Sequence, residues 1–581
     1  MSDLTATLIP DTPSRTAPKS FLQHARLIGF LTLISRFFGL ARDVVSAHFL
    51  GAKLVAAAFT FAFTVPNLFR KLFGEGALSA AFIPLYSQSL KNESAQDAND
   101  FAAATVNLLC AILVGVTIVS EAIVWGILLF CHGLREDWVL SLRLAGIMLP
   151  YVVLICGAAF IGGILQVHHR FGLPAAAPII LNACHIAVLI IGARLIGLNA
   201  RAAVDEHKQT QLAYWLAMVV LVAGVMQISI LLPALRHTGF RFKLSAHIWT
   251  PAIKKMLLLS LPVAMGAGVL QFSVVLDKGI AMALMQVHSS GAGGVQIVSN
   301  TFSIFGHSAR LPMEEGAPTR LDRAQTLYQF PLGVFAIALA TAIFPSLSAD
   351  AMNKDRKKFR DALRHGIEAS LWEGLPASVG LILVAQPIAR LLFQHGQNTP
   401  HDADLIARST AVYATAIWAF SLLQIINRAY YAVHDMLTPL KMAALNIVIN
   451  LVVEIPLLWW LGESAMAVGT VVSFAVQALL MLWMLDRRIG GLGLRESFSP
   501  VLKMLIATAV MGIVCYGLKI SPLYPHKTGQ IAWAIQLGVL LSAGAAVYLG
   551  VCSLLGVTMM KDLLPRRSNI PDKTPCDNEL S

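Results

Sequence analysis

The stretch FAAATVNLLCAILVGVTIVSEAIVWGILLFC, Phe101–Cys131, holds a single carboxylate or basic side chain, Glu121. A helix needs about 20 mainly apolar residues to cross a bilayer, so this stretch is a span with residues to spare. Comparable segments occupy residues 25–50, 54–86, 138–167, 174–197, 211–235, 249–285, 322–349, 361–394, 403–433, 438–461, 464–485, 500–520 and 530–555. With the first, they make fourteen. All are far longer than barrel strands and lack apolar/polar alternation, which excludes a β-barrel. The expected fold is an all-α polytopic membrane protein with 14 transmembrane helices. Charges or proline make the second, seventh and eighth segments less regular. Pro66, Pro84, Pro178, Pro262, Pro331, Pro345, Pro376 and Pro456 predict kinks, tolerated where neighbours satisfy the freed carbonyls.

Composition points the same way. Of 581 residues, 56% are hydrophobic and 13% charged, against about 25% charged in soluble domains. A disordered chain, a disulfide scaffold and an ordinary soluble enzyme are excluded. The seven cysteines contain no CxxC pair and read as small buried apolar residues. The first twenty residues are polar and have no h-region, so the first span is expected to act as an uncleaved anchor. The net charge of +12 reads as topology, with no nucleic acid required. Fourteen spans with the N-terminus inside place Arg15, Lys19, Arg26, the cluster Arg236–Lys255, the run Lys354–Arg360, Arg487, Arg488 and the tail Lys561–Lys573 on the cytoplasmic side. Far fewer Lys and Arg fall opposite, which predicts N-in and C-in.

The second segment ends AAFIPLYSQ (Ala80–Gln88) and the eighth TAIFPSLSA (Thr341–Ala349), six spans apart. An even separation gives both halves one orientation, a parallel pseudo-twofold repeat. The expected organisation is a polar tail (1–24), a six-helix lobe (25–236), a basic linker (237–248), a second six-helix lobe (249–486), two further helices (487–555) and a basic tail (556–581). The polar stretches Asn199–Thr210 and Ser289–Thr319 read as connections.

Ionisable residues inside spans cost about 2.5–3.5 kcal/mol each on insertion scales. The first span reads ISRFFGLARDVVSAHFLGA and carries Arg36, Arg42 and Asp43; the second reads TVPNLFRKLFGEGALSAAFIP and carries Asn67, Arg70, Lys71 and Glu75. Arg36 and Asp43, seven apart, share a face, and Lys71 and Glu75, four apart, could pair. Snorkelling to an interface accounts for any one of these residues. As a set, four cations and two anions in consecutive spans suggest a net-positive cavity wall, suited to a phosphate because Arg binds phosphate oxygens bidentately. In the second half, Asp277, Asn446, Asn450 and Thr470 would make an oxygen-ligand site for a small monovalent cation, with Glu454 on the same span. The simpler alternative is an Asp277–Lys278 pair with interhelical Asn hydrogen bonds.

Signs of an enzyme are sparse. Glu314–Glu315 and Asp402/Asp404 read as solvated outward-loop acids, and His168, His169 and His185 lack metal-ligand spacing. No P-loop, nucleophile elbow or Rossmann pattern occurs. Transport would draw on an ion gradient, the membrane potential or the substrate's own gradient.

The runs SRFFGLARD (Ser35–Asp43), PNLFRKLFGEGALSAAFIP (Pro66–Pro84), LYQFPLGVFAIALATAIFPSLS (Leu327–Ser348) and YYAVHDMLTPLK (Tyr430–Lys441) closely resemble the MurJ/MviN lipid II flippase family of the MOP exporter superfamily. The resemblance runs from about residue 25 to 555. It implies a MATE-like fold: two six-helix lobes forming a V-shaped cavity, plus two C-terminal helices whose groove holds the lipid tail. It implies translocation of lipid II, an undecaprenyl-diphosphate-linked muropeptide, across the bacterial inner membrane for cell-wall biogenesis. No bond is made or broken, no cofactor is needed, and Na+ or membrane potential could supply coupling. Membrane lipids and docked peptidoglycan synthases are further expected partners.

Carried over by position, the family's cavity arginines and acid fall on Arg36, Arg42 and Asp43, and its next motif on Asn67, Arg70, Lys71 and Glu75. Two departures stand out. The acid at the start of the second span is Ala57 here, and the arginine before LYQFPLG falls on Thr326. Arg323, three residues earlier, is the expected replacement on the diphosphate. The alternatives are a flippase for another polyprenyl-diphosphate-linked oligosaccharide or a cation-coupled exporter of the same superfamily. From another class, a polytopic transferase would have to rely on Glu314–Glu315.

Overall fold

The computed structural model describes residues 19–74, 77–243, 249–290, 296–299, 301–304, 307–353, 355–522, 524–557 and 559. Residues 1–18 and nearly all of 556–581, part of the linker and Glu75 lie outside them, while 19–24 of the expected polar tail already belong to the first helix.

Within the described residues, every predicted span is mainly helical. The first half comprises α1 (Lys19–Leu50), α2 (Leu54–Phe69), α3 (Ala77–Asn92), α4 (Ala95–Phe130), α5 (Glu136–Met148), α6 (Tyr151–Val167), α7 (Gly172–Ala187), α8 (Ala193–Leu195) and α9 (Glu206–Arg236). The second comprises α10 (Pro251–Ala283), α11 (Ala317–Pro331), α12 (Ile337–Met352), α13 (Arg356–Phe393), α14 (Pro400–Ala414), α15 (Ile417–Ala432), α16 (Leu437–Leu461), α17 (Ser464–Ile489), α18 (Leu494–Ile520) and α19 (Gln530–Leu554). Among the described residues, eight helices are each long and apolar enough to cross a membrane. The pairs α5–α6 and α14–α15 add two more as spans bent by 43° and 46°. Pro150 sits at the first bend, where it can neither donate to the ladder nor fit the preceding turn.

Helix starts follow local chemistry. Ser94 accepts from the Asp97 amide ahead of α4, Asp205 from the Lys208 amide ahead of α9, and Thr250, followed by Pro251, from the Ile253 amide ahead of α10. Each satisfies an amide the helix leaves open. Wide π turns at Arg70–Gly74 and Leu332–Ala336 interrupt the second and eighth spans. Each follows closely on a proline, Pro66 or Pro331. A π turn shifts the face presented by every later residue; the expected Lys71–Glu75 pair falls in part on Glu75, outside the described residues. The expected plain connection after α10 instead holds two antiparallel hairpins. β1 (Val287–Ser290) pairs with β2 (Gln296–Ser299), Val287 opposite Ser299, and β3 (Thr301–Ile304) with β4 (His307–Arg310), Thr301 opposite Arg310.

The chain forms two compact units. The first contains residues 1–327, 389–409 and 436–473; the second contains 328–388, 410–435 and 474–581. In the first, α1 packs on α7, α2 on α5, and α6 on α9. One of its apolar clusters centres on the rings of Phe82, Tyr86, Phe101 and Phe160. In the second, α12 packs on α15 and α18 on α19, while Tyr328 stacks between Tyr413 and Phe420. Large apolar side chains stay on the outside, Trp460 being 84% exposed and Leu554 88% exposed. In water such a surface would aggregate; in lipid it is the solvated face.

Candidate functional site

Arg42 and Asp43 lie a little beyond the middle of α1. The Arg42 Nε and Nη2 both donate to Asp43 Oδ1, at 3.0 and 2.7 Å, and the guanidinium sits 5.9 Å from the Phe63 ring centroid of α2. Asp43 Oδ2 accepts from Thr326 Oγ1 at 3.5 Å, so the position where the family motif expects an arginine does face this pair. One turn back on α11, Asp322 lies within electrostatic reach of Arg42 and accepts from Lys278 of α10. A charged string thus runs from α1 through α11 to α10.

The other residues expected here are dispersed. Arg36 is half-buried and makes no hydrogen bond or ion pair among the described residues. Arg70 opens the π turn and lies beside Tyr151 and Cys156 of α6. Lys71 is exposed, and Asn67 donates to the Phe63 carbonyl within its own helix. Arg323 departs from expectation. Its guanidinium donates to Asn398 Oδ1 at 2.8 Å and to the Gly51 carbonyl at 2.7 Å, and the residue is 3% exposed. In this conformation it does not replace the family arginine beside Arg42, because its donors are committed elsewhere.

Those donors belong to a seam at the end of α1 away from the N-terminus, called distal below. There the first half of the chain meets the second, within the first unit. Glu315 Oε1 accepts from the Leu54 amide, the Gln397 amide donates to the His48 carbonyl, and the Gln397 side-chain amide reaches the carbonyls of Ala200 and Ala202. Gly316 and Gly396, both at positive φ, let the strands touch. A Cβ on Gly316 would lie 1.9 Å from the Ala52 carbonyl oxygen, and one on Gly396 would lie 2.2 Å from that of His48. Thr60 of α2 and Thr319 of α11 face each other with hydroxyl oxygens 3.3 Å apart.

Behind the seam, Arg320 is 1% exposed and saturated: it bonds both oxygens of Glu463, Asp402 Oδ1, and the carbonyls of Glu314 and Glu315. Asp402 is therefore no solvated loop acid, because Arg320 needs its charge. Glu314 and Glu315 are also engaged, with His401 and with the Leu54 amide. Nothing in the sequence pointed to Arg320, whose partners lie 82 and 143 residues away.

Of the four residues expected at a cation site, Asp277 and Asn450 meet, and Glu454 lies within electrostatic reach of Asp277. Asn450 Nδ2 donates to Asp277 Oδ1 at 3.0 Å. Asn450 Oδ1, Asn446 Nδ2 and both Glu454 oxygens are buried without a hydrogen-bond partner. Gly469 of α17 leaves room for them, since a Cβ there would lie 2.8 Å from Asn450 Oδ1. Thr470 follows, its hydroxyl donating to the Met466 carbonyl. Lys278 is bonded to Asp322 and not to its neighbour Asp277, so the expected Asp277–Lys278 pair does not form. No group of three or more His, Cys, Asp or Glu suited to a metal occurs among the described residues. The set is oxygen-rich and carries two carboxylates.

A family model described as "Lipid II flippase MurJ" matches residues 46–536. The chain belongs to the lipid II flippase MurJ family. A "Probable lipid II flippase MurJ" of Rhizobium tropici is 30% identical over 94% of this chain and 96% of its own length. A "Lipid II flippase MurJ" of Burkholderia cenocepacia is 27% identical over 84% and 87%. Among solved structures, "Lipid II flippase MurJ, inward closed conformation" superposes with a TM-score of 0.70 at 22% identity, covering 92% of this chain and 99% of the other. An inward-facing MATE transporter of the MOP superfamily superposes at 0.60 and 14% identity, covering 81% and 98%. The fold is that of MOP transporters, and the protein is a multi-pass membrane protein of a transporter family.

Proposed function

We propose that the chain is a flippase that carries lipid II from the cytoplasmic to the periplasmic leaflet of the inner membrane, N-in and C-in, by alternating access of two lobes at about 25–236 and 249–486. The observation that carries this reading is the family match across 46–536. Arg36 and Arg42 serve as diphosphate ligands, since among the described residues one is unpartnered and the other is held by a single neighbouring carboxylate that an anion can displace. Arg70 and Lys71 add positive potential from the π turn. The distal seam is then the periplasmic gate in its shut state. No bond of the substrate changes, so the chain acts as a transporter and not as an enzyme. Depleting the protein in its native host should leave lipid II accumulating in the cytoplasmic leaflet. An unchanged leaflet distribution would refute the reading.

Asp277, Asn446, Asn450, Thr470 and Glu454 are proposed to hold a monovalent cation such as Na+. Hard oxygen ligands suit such an ion, and a buried and a half-buried carboxylate, bonded to no cationic side chain among the described residues, cost several kcal/mol unless an ion or proton joins them. With Asp277→Asn, Na+ stimulation of transport should fall at least tenfold while Arg42-dependent binding of lipid II persists. Flux assays in Na+ against choline check this, and retained stimulation would remove the site.

A further inference from the structure

The distal seam contains two histidines that the reading above does not use. His48 lies in the last turn of α1 and His395 in the turn after α13, their ring centroids 5.5 Å apart. The His48 carbonyl also accepts from the amide of Gln397, two residues beyond His395, at 2.9 Å. His395 Nε2 bonds the Leu392 carbonyl at 2.7 Å and must donate to do so. Its other nitrogen, Nδ1, is buried without a hydrogen-bond partner. In the neutral ring Nδ1 is therefore a bare acceptor, the atom at which a proton would add.

The charged groups facing this pair are cations. Arg323 faces His395 from α11, and Arg201 faces His48 from the loop between α8 and α9. No carboxylate bonds either ring among the described residues, and Asp402 and Glu463 of the same seam are taken by Arg320. A proton added to either ring would thus sit against a second histidine and an arginine, with no anion to offset it. Separating α1 from the α13–α14 turn removes that repulsion and returns both rings to water.

We propose that His48 and His395 form a proton-binding site in the seam, at which protons from the outward-facing solution favour the opened gate. The inference rests on the alternating-access reading, since it assigns the seam the role of gate. Burial is the main cause that pushes His395 below the usual imidazole range, with Arg323 adding to it and the Leu392 bond opposing. A base with a lower pKa in the closed seam than in the open one makes the closed form bind fewer protons. The closed seam is then favoured above the ordinary imidazole value of about 6.5, and that preference fades as pH falls through it. Each unit of depression is worth about tenfold in the open-to-closed ratio.

The test reads the gate directly. Spin labels on Ala203→Cys and Arg408→Cys, exposed positions on the first-half and second-half sides of the seam, report its separation in nanodiscs, with the native cysteines replaced. Between pH 8 and pH 5 the open-to-closed ratio should rise about tenfold or more. It should stay flat in His48→Gln/His395→Gln and rise partially in either single variant, which also guards against a misfolded double variant. A flat response in the parent, or an unchanged rise in the double variant, overturns the proton site. If the parent is flat with pH but opens on adding lipid II, the site fails while alternating access stands. Lipid II transport through a seam shut at every pH would overturn both.

Discussion

Arg42→Ala should abolish complementation in a host depleted of its own flippase, and should weaken binding of an undecaprenyl-diphosphate headgroup by on the order of 100-fold. Removing one partner of a hydrogen-bonded charge pair in a binding site costs roughly 2–5 kcal/mol, and 1.4 kcal/mol is a factor of ten. Two observations place Arg42 at the top of this scale. Its guanidinium holds Asp43 with two donors and rests on the Phe63 ring, so it is oriented before any ligand arrives. Its loss also leaves Asp43, among the described residues, with the 3.5 Å hydrogen bond from Thr326 and the more distant charge of Arg323, an anion facing an anionic substrate. Arg42→Lys should recover part of the affinity, since the charge returns without the bidentate fork. Headgroup binding by titration and growth on depletion both check this. Wild-type growth of a normally expressed Arg42→Ala protein would remove Arg42 from the site.

Cross-linking Thr60→Cys to Thr319→Cys should stop transport altogether, and reductant should restore it. The two hydroxyl oxygens are 3.3 Å apart on α2 and α11, so sulfurs at these positions need little movement to reach the disulfide length of about 2.05 Å. Neither threonine is proposed to touch substrate, so the reduced protein should work at close to the parental rate. The bond closes a loop of more than two hundred residues between the halves of the chain and forbids the seam from parting. Transport assayed before and after oxidation, with cross-linking scored by mobility after cleavage in the 289–308 connection, decides the matter. Parental flux in fully cross-linked protein would show that the seam need not open.

The spans were legible in sequence because lipid imposes a length that few other constraints mimic, and the described residues of the fourteen segments are mainly helical. The charges within spans were legible for the same reason: Arg36, Arg42 and Asp43 are conspicuous against an apolar background. Side-chain direction was harder to read. A helical wheel assumes 3.6 residues per turn, and the π turn at Arg70 breaks that assumption at the residue where it mattered. Pairing across the chain left no local trace either. Lys278 chose Asp322 over its neighbour Asp277, and Arg320 found Glu463 and Asp402 through tertiary approach alone. Arg323 was placed by its distance from a motif, and the fold turned its donors toward Gly51 and Asn398 instead.

The π turns of the second and eighth spans bear on the history of the chain. At the offset that pairs Pro84 with Pro345, the turn at Arg70–Gly74 falls on residues 331–335, one position from the turn at Leu332–Ala336. A π turn is the trace of one extra residue taken up by an α-helix. If the halves arose by copying a single ancestral unit, that residue was present before the copy was made. One half now carries Arg70 and Lys71 in its turn, while the other carries only Leu332, Gly333, Val334, Phe335 and Ala336. The wide turn is then common to both copies, while the charge belongs to one of them alone.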